Sequence, residues 1–345
     1  MHSFKPLCGQ IMHYFNSRRR RFAASTSVAL IFLTTIALFY NVVVDHLRDA
    51  LHDGPDNSGP DNSEAVPETE VRPEGRNLIP PKIWQILLPK KGNTDPVSPK
   101  QLQDTASWLA LNTDYSYTLV GERGSDDFVH NHYADNTRIL DTFANMPNVG
   151  MKSDLLRYLL LQQYGGVYTD TDTIALKPID DWVPVELRDQ VRLVVGIEFD
   201  RRDGGAWADI SHWVQFCQWT IAAAPGHPVF DIMIERVLQS LQDLSEQHGT
   251  PIEELHPSFF EVMNSTGPAK AWTDAVFKQL QIYEPFLGDT KDLSFMTEPV
   301  LHGDILLLNI DGFGMGQVHS HSTHDGTIPD LALMKHRFQG SWRGD

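Results

Sequence analysis

Cysteine is nearly absent: the 345 residues hold two, Cys8 and Cys217. They fall on opposite sides of a long apolar run, which argues against an intrachain disulfide and leaves stability to a hydrophobic core. Positive charge is scarce as well. Lys and Arg number 28 against 45 Asp and Glu, a formal net charge of -17. A chain so acidic lacks the clustered basic surface whose counterion release drives nucleic-acid binding, so no nucleic-acid partner is expected. Apolar residues make up 41% of the sequence, enough to bury a large core.

Charge of either sign is missing from residues 22–44, FAASTSVALIFLTTIALFYNVVV. As a helix this run would extend about 35 Å, enough to cross the hydrocarbon core of a bilayer. Arg18, Arg19, Arg20 and Arg21 precede it and Asp45 follows, so the positive-inside rule puts the N-terminus in the cytosol. The expected layout is a cytosolic tail (1–21), a transmembrane signal anchor (22–44), a flexible acidic stem (45–77) and a lumenal globular domain (78–345). The stem follows from composition: it is rich in Asp, Glu, Gly, Pro, Asn and Ser, repeats GPDNS, and cannot bury enough apolar surface to offset its ordering entropy.

Beyond the stem, strand and helix signals alternate. Residues 78–88 read as a first buried strand, 115–120 as a second, 153–163 as a helix stopped by Gly165-Gly166, 167–170 and 191–197 as further strands, with long helices near 228–247 and 270–281. The alternation predicts an α/β fold with a mostly parallel sheet. Within it, the stretch 151–182, MKSDLLRYLLLQQYGGVYTDTDTIALKPIDDW, carries the chemistry. Asp154 and Arg157 lie three apart on one helix face. After the Gly-Gly break, Tyr168, Asp170 and Asp172 share strand parity. Two carboxylates at i and i+2 at a strand end can close on one hard cation with oxygen ligands, and such a cation neutralises a departing diphosphate.

These residues resemble the fungal initiation-specific alpha-1,6-mannosyltransferase family, a DXD-containing group within glycosyltransferase family 32. The likeness continues through VQFCQWTIAAAPGHP (214–228), VMNSTGPAKAW (262–272), Gly303-Asp304-Ile305-Leu306 and KHRFQGSW (335–342). It implies a GT-A-like, Rossmann-type nucleotide-sugar-binding domain, Mn2+ (or Mg2+), a GDP-mannose donor, retention of configuration, and an N-glycan or mannan acceptor at the Golgi membrane, with mannosyltransferase complex partners. By the same resemblance Asp154, Arg157 and Tyr168 attend the donor sugar, and Asp170 and Asp172 are the metal-binding, catalytic pair. His336 joins them as a third ligand, Ser341 and Trp342 close over the diphosphate, and Trp84 stacks on the base. The chain has Trp84-Gln85 where the family more often has His-Gln. Alternatives of the same family are a UDP-galactose donor, an inositol sphingolipid acceptor, or a non-catalytic scaffold in a mannan polymerase.

Several other residues read two ways. Glu198 and Asp200, at a strand end, either attend the acceptor or the anomeric carbon, or are loop carboxylates; Asp304 shares the ambiguity. Gln215, Trp219 and His227 sit in a family-like block, yet Trp213, Phe216 and Trp219 at helical spacing read as core. His319, His321 and His324 read as a polar loop before a metal site, and Asn264-Ser265-Thr266 is a glycosylation sequon.

Overall fold

The computed structural model describes residues 77–340 apart from 91, 94, 206–209 and 319. The tail, the apolar run, the stem up to residue 76, and Ser341 and Trp342 therefore lie outside the described residues. Among the described residues no helix is long and apolar enough to cross a membrane.

Among the described residues ten strands form two sheets. The large one contains β1 (Lys82–Ile86), β2 (Ser116–Val120), β3 (Gly166–Thr169), β5 (Leu193–Asp200), β7 (Thr220–Ala223), β8 (Val300–His302) and β9 (Ile305–Leu308), in the order β2-β1-β3-β7-β5-β9-β8, with β6 (Val214–Phe216) paired to β5 off this path. A small antiparallel pair joins β4 (Thr173–Ala175) to β10 (Met334–His336). The sheet is mixed, not mostly parallel as the alternation suggested. β1 runs parallel to β2 and β3, and β5 parallel to β9, while β7 is antiparallel to both β3 and β5. The reason is local: β6 and β7 follow β5 as short connected strands with no crossover helix, and only a crossover can return a chain to a parallel neighbour. Because β7 reverses twice, β1, β3 and β5 still point the same way. Their C-terminal ends open at one edge.

Side chains alternate across the sheet with the period of two that extended chain imposes. Trp84, Tyr168, Leu193, Val195, Ile221 and Leu307 pack into one core cluster; Ile83, Val167, Val194, Ala222, Leu306 and Leu308 pack into the other. Both faces are covered, which is why the strands read as continuous apolar runs.

The helix α4 (Val149–Tyr164), preceded by α1 (Thr105–Leu111), α2 (Glu122–Tyr133) and α3 (Thr137–Asn145), covers the first face together with α5 (Pro228–His248). Asn148 caps α4 by accepting from the Met151 N–H at 3.0 Å. Gly165 ends it at φ 61°, and a Cβ there would lie 2.6 Å from the Ala223 carbonyl oxygen, so only glycine fits the turn that delivers the chain from helix to β3. The expected stripe of Leu155, Leu156, Leu159 and Leu160 is buried, but so are Met151, Tyr158 and Leu161 and the polar pair Asp154 and Arg157. α4 is a central helix, and the burial of each leucine contributes about 2 kcal/mol.

Trp213, Phe216 and Trp219 are not on a helix. They flank or belong to β6 and the entry to β7, and Phe216 and Trp219 are buried in the core.

Candidate active site

A cavity of about 410 Å³ opens where the C-terminal ends of β1, β3 and β5 converge, the position at which α/β sheets generally hold ligands. Asp154, Arg157, Tyr168, Asp170, Asp172 and His336 all line it.

The Asp170-Thr171-Asp172 turn is fastened from below. The Asp170 N–H donates to the Trp219 carbonyl at 2.9 Å, and its own carbonyl accepts from Gln85 Nε2 at 3.1 Å and Thr173 Oγ1 at 2.6 Å. Thr169, Thr173 and Thr220 link their hydroxyls beneath it, and Trp108 Nε1 donates to the Thr173 carbonyl at 3.0 Å. Gln85 is itself held by Thr105 and Tyr117. With the backbone so pinned, the two carboxylates have little freedom except toward the cavity.

The Asp170 carboxylate accepts from the Tyr168 hydroxyl and lies 3.5 Å from Arg157 Nη1. Burial raises the Asp170 pKa against the opposing charge of Arg157. At Asp172 burial also acts upward, but the His336 hydrogen bond and charge and the Gln339 N–H outweigh it, and the carboxyl stays below its ordinary value.

His336 arrives from β10. Its Nε2 stands 3.1 Å from Asp172 Oδ1, its Nδ1 is buried without a hydrogen-bond partner, and its ring packs on Trp219 and Phe338. Arg337 and Gln339 donate backbone N–H groups to Asp172 at 2.9 and 2.8 Å. The segment after β10 is thereby tied across the acidic turn.

One donor atom from each of Asp170, Asp172 and His336 lies within 4.8 Å of the others, the group among the described residues with the chemistry and spacing to share a metal ion. Two carboxylate oxygens and an imidazole suit Mn2+ or Mg2+ better than a soft metal.

Asp154 and Arg157 form a buried pair, Arg157 Nη2 to Asp154 Oδ1 at 2.8 Å. Both Asp154 oxygens are engaged: Oδ1 also accepts from Gln218 Nε2 at 2.6 Å and Oδ2 from Thr266 Oγ1 at 2.7 Å. Burial pushes the Asp154 pKa up to about 6 even with Arg157 beside it. Burial works against the Arg157 charge too, but Tyr168, Asp170 and Asp154 around it keep the guanidinium protonated. Gln218 closes the arrangement, since its carbonyl accepts from Arg157 Nη1 at 3.0 Å. Asp154 thus acts on the cavity through Arg157, which carries positive charge to the edge of the acidic turn.

Trp84 is elsewhere. Its indole donates to the Gly165 carbonyl at 2.8 Å and stacks on Tyr164, so it braces the end of α4; the cavity wall after β1 is Leu87, Leu88, Pro89 and Lys90. His227 caps α5 and meets Asp304 at 3.2 Å, with Arg192 behind, a structural cluster that absorbs both His227 and Asp304. His321 and His324 are exposed and join no metal-binding group among the described residues. Asn264 is exposed on α6 (Phe259–Ser265), while Thr266 of its sequon is buried against Asp154.

Gln85, Gln218 and Thr266 were not singled out from sequence as parts of the site. Each lay inside a quoted block, but an uncharged residue that holds a charged one leaves no mark in composition or spacing.

An acidic turn, an imidazole and the buried Arg157 guanidinium in one cavity fit a glycosyltransferase that handles a diphosphate leaving group, and the class is shown by family likeness. Residues 98–189 match the family described as "Glycosyltransferase sugar-binding region containing DXD motif". The chain is 36% identical to the initiation-specific alpha-1,6-mannosyltransferase of Schizosaccharomyces pombe, over 77% of this chain and 64% of that one. To the enzyme of the same name from Candida albicans it is 33% identical, over 77% and 73%, and to that of Saccharomyces cerevisiae 32%, over 66% and 54%. The chain belongs to the family of initiation-specific alpha-1,6-mannosyltransferases. The matches span 64%, 73% and 54% of the length of those three relatives.

Proposed function

We propose that this chain transfers mannose from GDP-mannose to an N-glycan or mannan acceptor, with retention of configuration and with a divalent cation, Mn2+ or Mg2+, held by Asp170, Asp172 and His336. The observation that carries the reading is the convergence of those three residues, from the turn after β3 and from β10 far along the sequence, on one cavity beside Arg157. When bound, the cation supplies Lewis-acid stabilisation of the departing diphosphate.

The chain's own residues do the rest. Arg157 adds fixed positive charge where negative charge develops, an effect strengthened because the site is preorganised. Tyr168, with its hydroxyl on Asp170, and the pinned Asp170 backbone fix the acidic turn beside that guanidinium. Asp154, Gln218 and Thr266 orient Arg157. In a same-face displacement the bond from the anomeric carbon to the phosphate oxygen breaks as the acceptor oxygen bonds to that carbon, and the acceptor's proton passes to the departing phosphate, so no nucleophilic side chain is needed.

The relatives' names support mannose as the transferred sugar; its GDP carrier rests on the family resemblance. The charge-free run and its arginine flank support an anchor at 22–44 with the globular domain lumenal, which protease protection in microsomes tests; the Golgi membrane rests on the family resemblance.

Incubating the purified full chain with labelled GDP-mannose and a panel of high-mannose oligosaccharides, with and without Mn2+, should yield a cation-dependent α-1,6 product. Turnover of UDP-sugars but not GDP-mannose would overturn the donor.

A further inference from the structure

Trp219 reads from sequence as core, and at 5% exposure it is buried. It also lines the cavity, and both arms of the cation site touch it. The register of β3 with β7 pairs Thr169 with Thr220, which sets Trp219 beside Asp170 and lets its carbonyl accept the Asp170 N–H at 2.9 Å. Its side chain meets the other arm. The indole lies 4.8 Å from the His336 imidazole, centroid to centroid, with the two planes 31° apart. The indole is fixed in turn, because its Nε1 donates to the Phe313 carbonyl at 3.1 Å.

The imidazole needs such a support. A histidine that ligates a metal usually gives its other ring N–H to an oxygen, and that bond sets the orientation and tautomer of the ring. In His336 the other nitrogen, Nδ1, is buried without a hydrogen-bond partner. Nε2 is bonded to Asp172 at 3.1 Å, but it is the nitrogen that faces the acidic turn and would offer its lone pair to a cation, so that bond cannot persist once Nε2 is a ligand. Pairing of β10 with β4 places the His336 main chain opposite Thr173 and leaves the side-chain torsions free. What remains is packing. The Phe338 ring is 4.2 Å from the imidazole, yet Phe338 is exposed and sits at a positive φ of 53°. Trp219, buried and hydrogen-bonded, is the anchored wall.

We propose that Trp219 is the positioning residue of the cation site: its ring, in place of a hydrogen bond at Nδ1, holds the His336 imidazole with Nε2 turned to Asp172. This rests on the cation site proposed above and deepens it, by naming what keeps the third ligand in line. Trp219 supplies no ligand atom and takes no part in bond making.

The test is a double-mutant cycle on the affinity for Mn2+, titrated into the purified full chain with GDP present and followed by the free-ion spin-resonance signal. Wild type, Trp219→Leu, Trp219→Phe, His336→Ala and the two combinations are compared, with melting curves alongside. Trp219→Leu should weaken Mn2+ binding about 10-fold. Trp219→Phe keeps an aromatic face without the Nε1 anchor and should weaken it about threefold. In the His336→Ala background neither change should matter beyond about 1.5-fold, because a residue that acts through the imidazole then has nothing to act on. Full losses in that background would make Trp219 a general support of the fold, and wild-type affinity in either single variant would remove it from the site; each result overturns the proposal. If the leucine variant does not fold, the phenylalanine half of the cycle decides by the same criteria. Failure of the underlying reading looks different: wild type would bind no Mn2+, or His336→Ala would bind it as tightly as wild type, and both claims fall.

Discussion

Asp170 and Asp172 after β3, and Glu198 and Asp200 at the end of β5, are the same pattern in sequence: two acids two apart, at parallel strand ends, on one sheet edge. In the first pair both side chains meet His336 at the cavity. In the second, one faces the cavity and the other is a structural anchor for the turn at Ser294 and Phe295. Spacing alone does not decide the outcome. What separates the pairs is the backbone beneath them: a turn pinned by Gln85, Thr173 and Trp219 in one case, a bulge in the other.

The largest expected effect breaks the first pair. Asp170→Ala should lower transfer by at least about 100-fold, as removal of a group that stabilises transition-state charge does. Thermal stability should change little, because burial already raises this carboxyl's pKa; steady-state rates with a melting curve check both. Next is the cation behind it. Arg157→Lys keeps the charge but cannot span Asp154, Asp170 and the Gln218 carbonyl at once. Broken buried pairs cost about 3 kcal/mol, which chemical denaturation would read, together with a rise in the donor KM.

Asp200→Ala sharpens the contrast within the second pair. It should destabilise by about 2 kcal/mol through the orphaned Phe295 and Arg202 amides, yet leave nucleotide binding untouched.

The smallest effect lies outside both pairs. Burial holds the His227 pKa below its ordinary value despite Asp304 nearby. A histidine kept neutral in the fold and free to protonate when unfolded contributes stability that is complete above pH about 6.5 and fades as pH falls through the depressed folded value. Denaturation midpoints should drop on acidification below that pH, and less so in His227→Gln.

The sequence revealed charged residues better than their supports. Asp154, Arg157, Asp170 and Asp172 stood out by their spacing on a helix face and a strand end, His336 by the family resemblance, and the cavity brings all five together. α4 and β3 were legible because Gly165-Gly166 punctuates them. The mixed sheet was not, since strand direction depends on how β6 and β7 connect, and a period of two looks alike in either direction. Trp84 misled for a physical reason: an aromatic within a first strand can face a base or a helix end, and parity relative to Gln85 turns it to Tyr164. The bulge at Glu198 leaves no sequence signal, because its pairing partner is set by tertiary contact.

The central claim is that Asp170, Asp172 and His336 act as one cation site. Titrating Mn2+ into the purified full chain in the presence of GDP, with the free-ion spin-resonance signal as readout, tests it directly. The account predicts one ion per chain, lost when Asp170→Ala and Asp172→Ala are combined and weakened at least about 10-fold in His336→Ala. Undiminished binding in the double variant would contradict it.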